Sequence, residues 1–161
     1  MKKLILSIAI IFTAIISANA QTTATATQTV TLVLKNTISI NLTAATGNNF
    51  NFDNTDNYSN GVTNTNASTF EVKSNRPWAV TVNTATANFS GPVTSAAMPA
   101  SVLGVRLTGA TAFAALSTTA TQVTNGGRGI ASFNVDYKAT PGYVYDAGTY
   151  TVSVVYTATQ Q

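Results

Sequence analysis

Apolar and polar side chains alternate with a period of two in several runs beyond residue 29. The first run places large apolar side chains at even positions, at Val30, Leu32, Leu34, Ile38, Ile40 and Leu42, with Val33 as the exception. Shorter runs with the same period surround Phe70, Val80, Val105, Val135 and Val154. This period is typical of strands with one buried face, and no long helical period accompanies it. The sequence therefore predicts an all-β, immunoglobulin-like antiparallel β-sandwich of about seven strands.

Residues 1–20 have the three parts of a secretory signal peptide. Two lysines follow Met1, residues 4–16 form an apolar run, and the small residues of Ala18-Asn19-Ala20 form a cleavage site. The apolar run is shorter than the roughly 20 residues that a membrane-spanning helix needs. We therefore predict a cleaved signal peptide at 1–20 and a single domain at 21–161. The mature protein is expected to be exported to the periplasm, cell surface or exterior of a bacterium, without membrane insertion.

Charge and composition exclude several classes of function. Without the signal peptide the chain carries six basic and five acidic side chains, a net charge of +1, which is too little for binding nucleic acid or anionic lipid. The absence of cysteine excludes a disulfide framework and a lipid-modified cysteine. The absence of histidine removes the usual general base, the Ser-His-Asp triad and ordinary zinc sites. We predict a protein that is not an enzyme and that needs no cofactor or metal.

The few carboxylates are poor candidates for catalysis. Glu71 and Asp136 occupy the outward phase of their predicted strands, and Asp146 precedes a turn glycine, so we interpret all three as surface or turn residues. Asp53 and Asp56 lie in an Asn-rich loop whose oxygen atoms suit Ca²⁺, but their spacing matches no known calcium loop. A solvated turn is the favoured interpretation of this loop, and calcium binding stays open.

Three aromatic residues are candidates for ligand contact. Trp78 shares its phase with Val80 and Val82, which favours packing in the core over a sugar-stacking role. Tyr143 and Tyr145 lie in a short connection between two turn sequences, where exposure is expected. An extracellular module that binds glycan or peptidoglycan through Tyr143 and Tyr145 is therefore one functional hypothesis.

The C-terminal half carries a family resemblance. Residues 131–137 (ASFNVDY) and 146–156 (DAGTYTVSVVY) resemble the closing strands of spore-coat-U-like domains, the pilin domains of archaic chaperone-usher systems. Together with residues 70–82, the resemblance covers about half of the mature chain. It implies an incomplete immunoglobulin-like fold that the N-terminal extension of the next subunit completes, with a periplasmic chaperone as a further partner. Many of these pilins carry cysteines, which this chain lacks.

The long first alternating run has two interpretations. The resemblance implies that residues 21–34 form a donor strand for another subunit, with groove-facing side chains at Ala24, Ala26, Val30, Leu32 and Leu34. The chain's own first strand would then begin near Ile38, after a bend at Lys35-Asn36. The alternative is one intramolecular strand in a complete monomeric sandwich. Under the first interpretation, we predict a secreted structural or adhesive surface subunit that associates with itself or with other surface subunits.

Overall fold

The computed structural model describes residues 22–46, 48–92 and 96–161. The predicted signal peptide, residues 1–20, lies outside these residues. In the part of the chain that the structure describes, no helix is long and apolar enough to span a lipid bilayer.

The chain divides into two units, Met1–Val33 and Leu34–Gln161. The described residues of the first unit, 22–33, have no regular secondary structure. The second unit contains the sheets. Its elements are β1 (Ile38–Ala45), α1 (Thr55–Asn60), β2 (Val62–Ser74), β3 (Trp78–Thr84), a 3₁₀ turn (Ala100–Val102), β4 (Leu103–Leu107), β5 (Ala114–Ala115), β6 (Thr121–Gly126), β7 (Gly129–Ala139) and β8 (Val154–Gln160).

The strands form two antiparallel sheets. One has five strands in the order β1-β2-β7-β4-β5, and the other has three in the order β6-β3-β8. The prediction of an all-β antiparallel sandwich is confirmed, with eight strands where about seven were expected. Two strands have no counterpart among the predicted runs: β5, which has only two residues, and β6, whose sequence TQVTNG lacks a marked alternation.

Part of the strand order matches a constant-type immunoglobulin sandwich. In that fold the two sheets are ordered A-B-E-D and C-F-G. The order β1-β2-β7-β4 corresponds to A-B-E-D, and the neighbours β3 and β8 correspond to C and F, whereas β5 and β6 have no counterpart. Among the described residues no strand lies beyond β8, where strand G would pair. The outer edge of β8 is therefore one place where the fold differs from a complete sandwich.

The core forms where the inward faces of the two sheets meet. Trp78, Val80 and Val82 of β3 are buried, as their phase predicted. Val135 and Tyr137 of β7 are buried in the facing sheet. The alternation therefore predicted correctly which side of each strand faces the core.

Asp136 is buried, so the prediction of a surface residue was wrong. It does lie on the outward phase of β7, but Arg106, Thr108 and a bulge in β2 cover it. Arg106 Nε donates to its Oδ2 at 2.9 Å, and Thr108 Oγ1 donates to its Oδ1 at 2.6 Å. The backbone N of Asn66, in the bulge, donates to the same Oδ1 at 2.9 Å. Asn66 has a φ of 50°, a left-handed conformation that asparagine tolerates better than most residues.

Candidate functional site

A groove of about 940 Å³, lined by polar and apolar side chains in similar measure, opens between β1 and β8, one from each sheet. Ile40 and Leu42 of β1 line one side, Val154 and Tyr156 of β8 line the other, and Phe70 of β2 lies between them. Leu42 is 55% exposed although its phase points it at the groove. The inward side chains of β8 are likewise only half-buried. The groove therefore exposes apolar surface that a complete sandwich would bury.

Both strands that border the groove have an unpaired outer edge. Among the described residues β1 forms a ladder only with β2, and β8 forms one only with β3. Backbone N–H and C=O groups on such an edge can pair with an added strand. An edge beside an apolar groove suits an extended peptide with alternating apolar side chains, because the backbone pairs while every second side chain enters the groove.

A tyrosine pair at the base of the groove joins the two sheets. The hydroxyl oxygen atoms of Tyr137 on β7 and Tyr156 on β8 are 2.7 Å apart. The ring of Phe70 lies 4.2 Å from that of Tyr156, centroid to centroid. Burial raises the pKa of both tyrosine hydroxyls above the ordinary value of 10. Both hydroxyls therefore stay neutral near pH 7 and act as hydrogen-bonding groups in the groove.

One wall of the groove comes from the connection between β1 and β2. Phe52 and Tyr58 line the groove and lie 5.3 Å apart, and the ring of Tyr143 stacks on Tyr58 at 5.3 Å. Tyr143 also donates its hydroxyl proton to the backbone O of Thr55 at 2.7 Å and lies 2.9 Å from Ser59 Oγ. These contacts attach the connection that contains α1 to the β7–β8 connection, so the wall has a fixed position.

The two tyrosines that the sequence singled out have different environments. Tyr143 is 62% exposed and supports the wall through its hydrogen bonds and its stacked ring. Tyr145 lines the groove itself, and its ring meets Tyr150 edge-on at 6.3 Å. The structure therefore places only Tyr145 where a ligand in the groove would touch it.

The predicted donor side chains lie in a segment without regular secondary structure. Residues 22–37 belong to no strand, so the first alternating run is a strand only from Ile38 onward. The exposed fraction is 75% for Val30, 81% for Leu32 and 85% for Leu34. Ala24 and Ala26 are exposed as well. Val33, between Leu32 and Leu34, is 80% exposed, so four large apolar side chains are exposed together in this stretch.

The Asn-rich loop uses its polar side chains to hold its own backbone. Asn54 caps α1 by accepting from the backbone N of Asn57 at 2.9 Å, and Asn57 Nδ2 donates to the backbone O of Asn51 at 3.2 Å. Asp53 lines the groove. Within the described ranges no three His, Cys, Asp or Glu side chains are grouped so as to hold a metal ion.

Sequence reasoning missed the loop residues that enlarge the groove. Phe50, Phe52, Phe89 and Met98 all line it, yet none belongs to a strand. Phe50 and Phe52 lie in the Asn-rich connection between β1 and β2. Two large aromatic side chains in an otherwise polar loop were the available signal, because such side chains are seldom left in water without a packing role.

Comparison with known proteins gives no family for this chain. No family model matches it, and no curated protein is significantly similar to it. Its function must therefore be argued from the groove, the exposed N-terminal segment and the pattern of the sequence.

Proposed function

We propose that this protein is a secreted, pilin-like structural or adhesive subunit that assembles by donor-strand complementation. The observation that carries the proposal is the groove beside β8, whose outer edge, at the position of strand G, pairs with no strand of the described residues. Exposed apolar surface next to an unpaired edge is an aggregation hazard unless a partner strand covers it. A surface subunit that receives such a strand from a neighbouring subunit assembles through this exposed surface and edge.

The proposed occupant is residues 22–34 of a second copy, which we call the donor segment. Its apolar side chains alternate and are exposed, as an added strand requires. Residues 24–34 would span about 36 Å when extended, and residues 152–160 beside the groove would span about 30 Å. The donor segment is therefore long enough to cover the whole groove.

Burial of the donor side chains supplies the affinity. Val30, Leu32 and Leu34 are largely exposed, and burying a side chain of this size contributes about 1.5–3 kcal/mol. Thr25, Thr27, Thr29 and Thr31 would face outward, where their hydroxyls remain solvated, and Val33 would face outward with them as an exception to the alternation. Main-chain bonds to the edge of β8 would add specificity for an extended peptide, and no chemical reaction is needed.

Export of the subunit and protection of its groove before assembly follow from the same proposal. Cleavage of residues 1–20 would release the donor segment as a new N-terminus outside the cytoplasm. A groove that is exposed until a second copy arrives would need transient cover, which fits a periplasmic chaperone that offers a strand of its own.

The proposal is tested by sedimentation of the mature chain with and without residues 21–34. We expect the mature chain to form oligomers and the truncated chain to remain a monomer that binds a synthetic peptide of residues 22–34. A peptide in which Val30, Leu32 and Leu34 are replaced by serine is the matched control and should not bind, because it offers no apolar side chains to the groove. Oligomers of the truncated chain, or equal binding of both peptides, would contradict donor-strand assembly.

A glycan- or peptidoglycan-binding module is the second candidate, favoured by the 62% exposure of Tyr143 near the groove. Under the pilin-like proposal, we expect that the chain is not retained on insoluble polysaccharide. We also expect the variant Tyr143→Ala/Tyr145→Ala to assemble at the parental rate or more slowly. Pull-down on chitin, cellulose and peptidoglycan measures retention. Retention of the parent that the double variant loses would favour the glycan-binding module.

A further inference from the structure

Asn75 holds the junction between the donor segment and β1. It lies in the turn between β2 and β3, and its Nδ2 donates to the backbone O of Lys35 at 2.7 Å. Its Oδ1 accepts from the backbone N of Thr37 at 3.0 Å, and its own backbone N donates to Thr37 O at 3.3 Å. These bonds extend the β1–β2 ladder beyond its first pair at Ile38. The Asn75 side chain supplies an acceptor that the backbone of a paired strand would otherwise supply.

Gln160 lies in the terminal pair of the β3–β8 ladder, and its side chain reaches the same junction. Its Nε2 lies 2.7 Å from Thr37 O, 3.1 Å from Asn75 Oδ1 and 3.1 Å from Ser74 Oγ. Its two N–H groups are shared among these three acceptors. The carboxamides of Asn75 and Gln160, which we call the clasp, therefore tie residues 35–37 to both β8 and the β2–β3 turn.

Assembly by donor strands requires that a subunit does not fill its own groove. The attached donor segment carries the same side chains as that of a second copy, but its effective concentration is in the millimolar range. A second copy at micromolar concentration would lose this competition by roughly a hundredfold or more, unless the geometry prevents self-insertion. An assembling subunit therefore needs a feature that keeps its own segment out.

We propose, resting on the donor-strand function, that the clasp prevents self-insertion and so reserves the groove for the segment of a second copy. To enter its own groove the donor segment must turn back and run beside β1. The clasp engages Lys35 O and both backbone groups of Thr37. A chain reversal must therefore take place at Leu34 or before it.

With the reversal at Leu34 or before it, the side chains that enter the chain's own groove are not the large apolar ones. In an antiparallel hairpin, residues opposite each other share one face of the sheet. A two-residue turn at 33–34 would place Thr27 opposite Ile40, and a three-residue turn at 32–34 would place Ala26 there. In both cases the large apolar side chains of the donor segment lie in the turn or opposite the junction, away from the groove.

Release of the clasp would remove this restriction. The turn could then move to residues 34–36, which places Val30 opposite Ile40 and Leu32 opposite Ile38. The chain's own donor segment would cover the groove with its large apolar side chains. The subunit would become a closed monomer that neither gives nor receives a strand.

The test compares assembly of the mature chain with that of Asn75→Ala/Gln160→Ala. We expect the assembly rate, followed by light scattering, to fall about tenfold or more while monomer accumulates, because self-insertion now competes. The matched control is Arg76→Ala/Thr159→Ala, which alters exposed neighbours of the clasp residues and should assemble like the parent. Assembly of the clasp variant at the parental rate would overturn the proposal.

A second variant tests the same idea with the clasp intact. Insertion of about eight Gly and Ser residues between Leu34 and Lys35 gives the donor segment enough reach to return to its own groove. We expect this chain to be a folded monomer as well, and its assembly at the parental rate would overturn the proposal. If the unaltered mature chain does not assemble at all, it is the donor-strand function that fails.

The position of the donor segment can be read from engineered disulfides, because the chain contains no cysteine. With Val30→Cys and Ile40→Cys added to the clasp variant, we expect a disulfide within one chain, seen as a monomer on a non-reducing gel. In the chain with an intact clasp the same pair should give no such intrachain product. An intrachain disulfide formed equally in both chains would overturn the proposal.

Discussion

Fusion of a donor strand to the C-terminus of the receiving chain is expected to give a monomer whose free energy of unfolding is higher by about 5 kcal/mol. The chain starts at Lys35, and a copy of residues 23–34 follows Gln161 through an Asn-Gly turn, which favours a tight hairpin. The copy would run antiparallel to β8 along its unpaired edge. It would place Val30 opposite Val154 and Leu32 opposite Val152, facing the groove.

The gain in stability comes from burial of three large apolar side chains. Each contributes about 1.5–3 kcal/mol when it is fully buried, and ordering of the added strand offsets part of the sum. The copy must start at Thr23, because a shift of one residue would turn the threonines toward the groove instead. Urea unfolding of this chain and of the chain without the copy measures the difference in the free energy of unfolding.

A copy with serine at the positions of Val30, Leu32 and Leu34 is the matched control. It has the same length and turn but lacks the apolar side chains, so we expect little or no stabilisation from it. Equal stability of the two fused chains would show that the groove does not recognise these side chains. Persistent oligomers of the fused chain with the original residues would also contradict the donor-strand interpretation.

The variant Asp136→Ala is expected to lose about 3 kcal/mol of the free energy of unfolding, because it leaves Arg106 without its buried carboxylate partner. Asp136 is 1% exposed and accepts hydrogen bonds from Arg106, Thr108 and the backbone N of Asn66. Removal of the carboxylate would also break its hydrogen bond to the bulge of β2, which then keeps the bond from Asn134 Nδ2 to Asn66 Oδ1, 3.1 Å, as a side-chain link to β7. Arg106 keeps its contact with the ring of Phe113, 4.3 Å from its guanidinium carbon, which limits the loss.

Glu71→Ala is the matched control for this prediction. Glu71 also pairs with a basic side chain, Lys73 at 2.9 Å, but the two side chains are 28% and 50% exposed. An exposed ion pair contributes about 0–1 kcal/mol, so this variant should unfold almost like the parent. Similar losses for Asp136→Ala and Glu71→Ala in urea unfolding would refute a special role for the buried carboxylate.

The contribution of Asp136 should also depend on pH. Burial alone would raise the pKa of its carboxyl, but the hydrogen bonds from Thr108, Asn66 and Arg106, with the charge of Arg106, lower the pKa below the ordinary value of 3.8. A lowered pKa in the folded state means that the stabilisation is present above pH 3.8 and is lost as the pH falls through the folded value. The stability difference between the parent and Asp136→Ala should therefore shrink in strongly acidic solution.

The sequence predicted the strands that have a long alternating pattern. The inward faces of β3 and β7 were correct, because a period of two reports directly which side of a strand is apolar. Asparagines favour turns, yet β2 begins at Val62, inside the Asn-rich segment. Pairing with Tyr137 of β7 overrides the weak strand propensity of Asn64, whereas Asn66 lies in the bulge.

The groove was predicted only in part. The alternating side chains of β1 and β8 indicated an apolar face, whereas the donor role of residues 21–34 stays a prediction. The aromatic wall from Phe52 and Tyr58 was not predicted, because it depends on contacts between two loops that are far apart in the chain. The clasp was missed for the same reason, since an isolated Asn or Gln carries no sign of its partner.

The sequence by itself determined the class of fold and the face that each long strand turns to the core. It also determined the lack of histidine and cysteine chemistry. The tertiary structure alone decided that no strand of the described residues pairs with the outer edges of β1 and β8, that Asp136 is covered, and that Asn75 and Gln160 meet at one junction. The physical reason is that the phase of a side chain is a local property, whereas its cover and its partners come from residues distant in the chain.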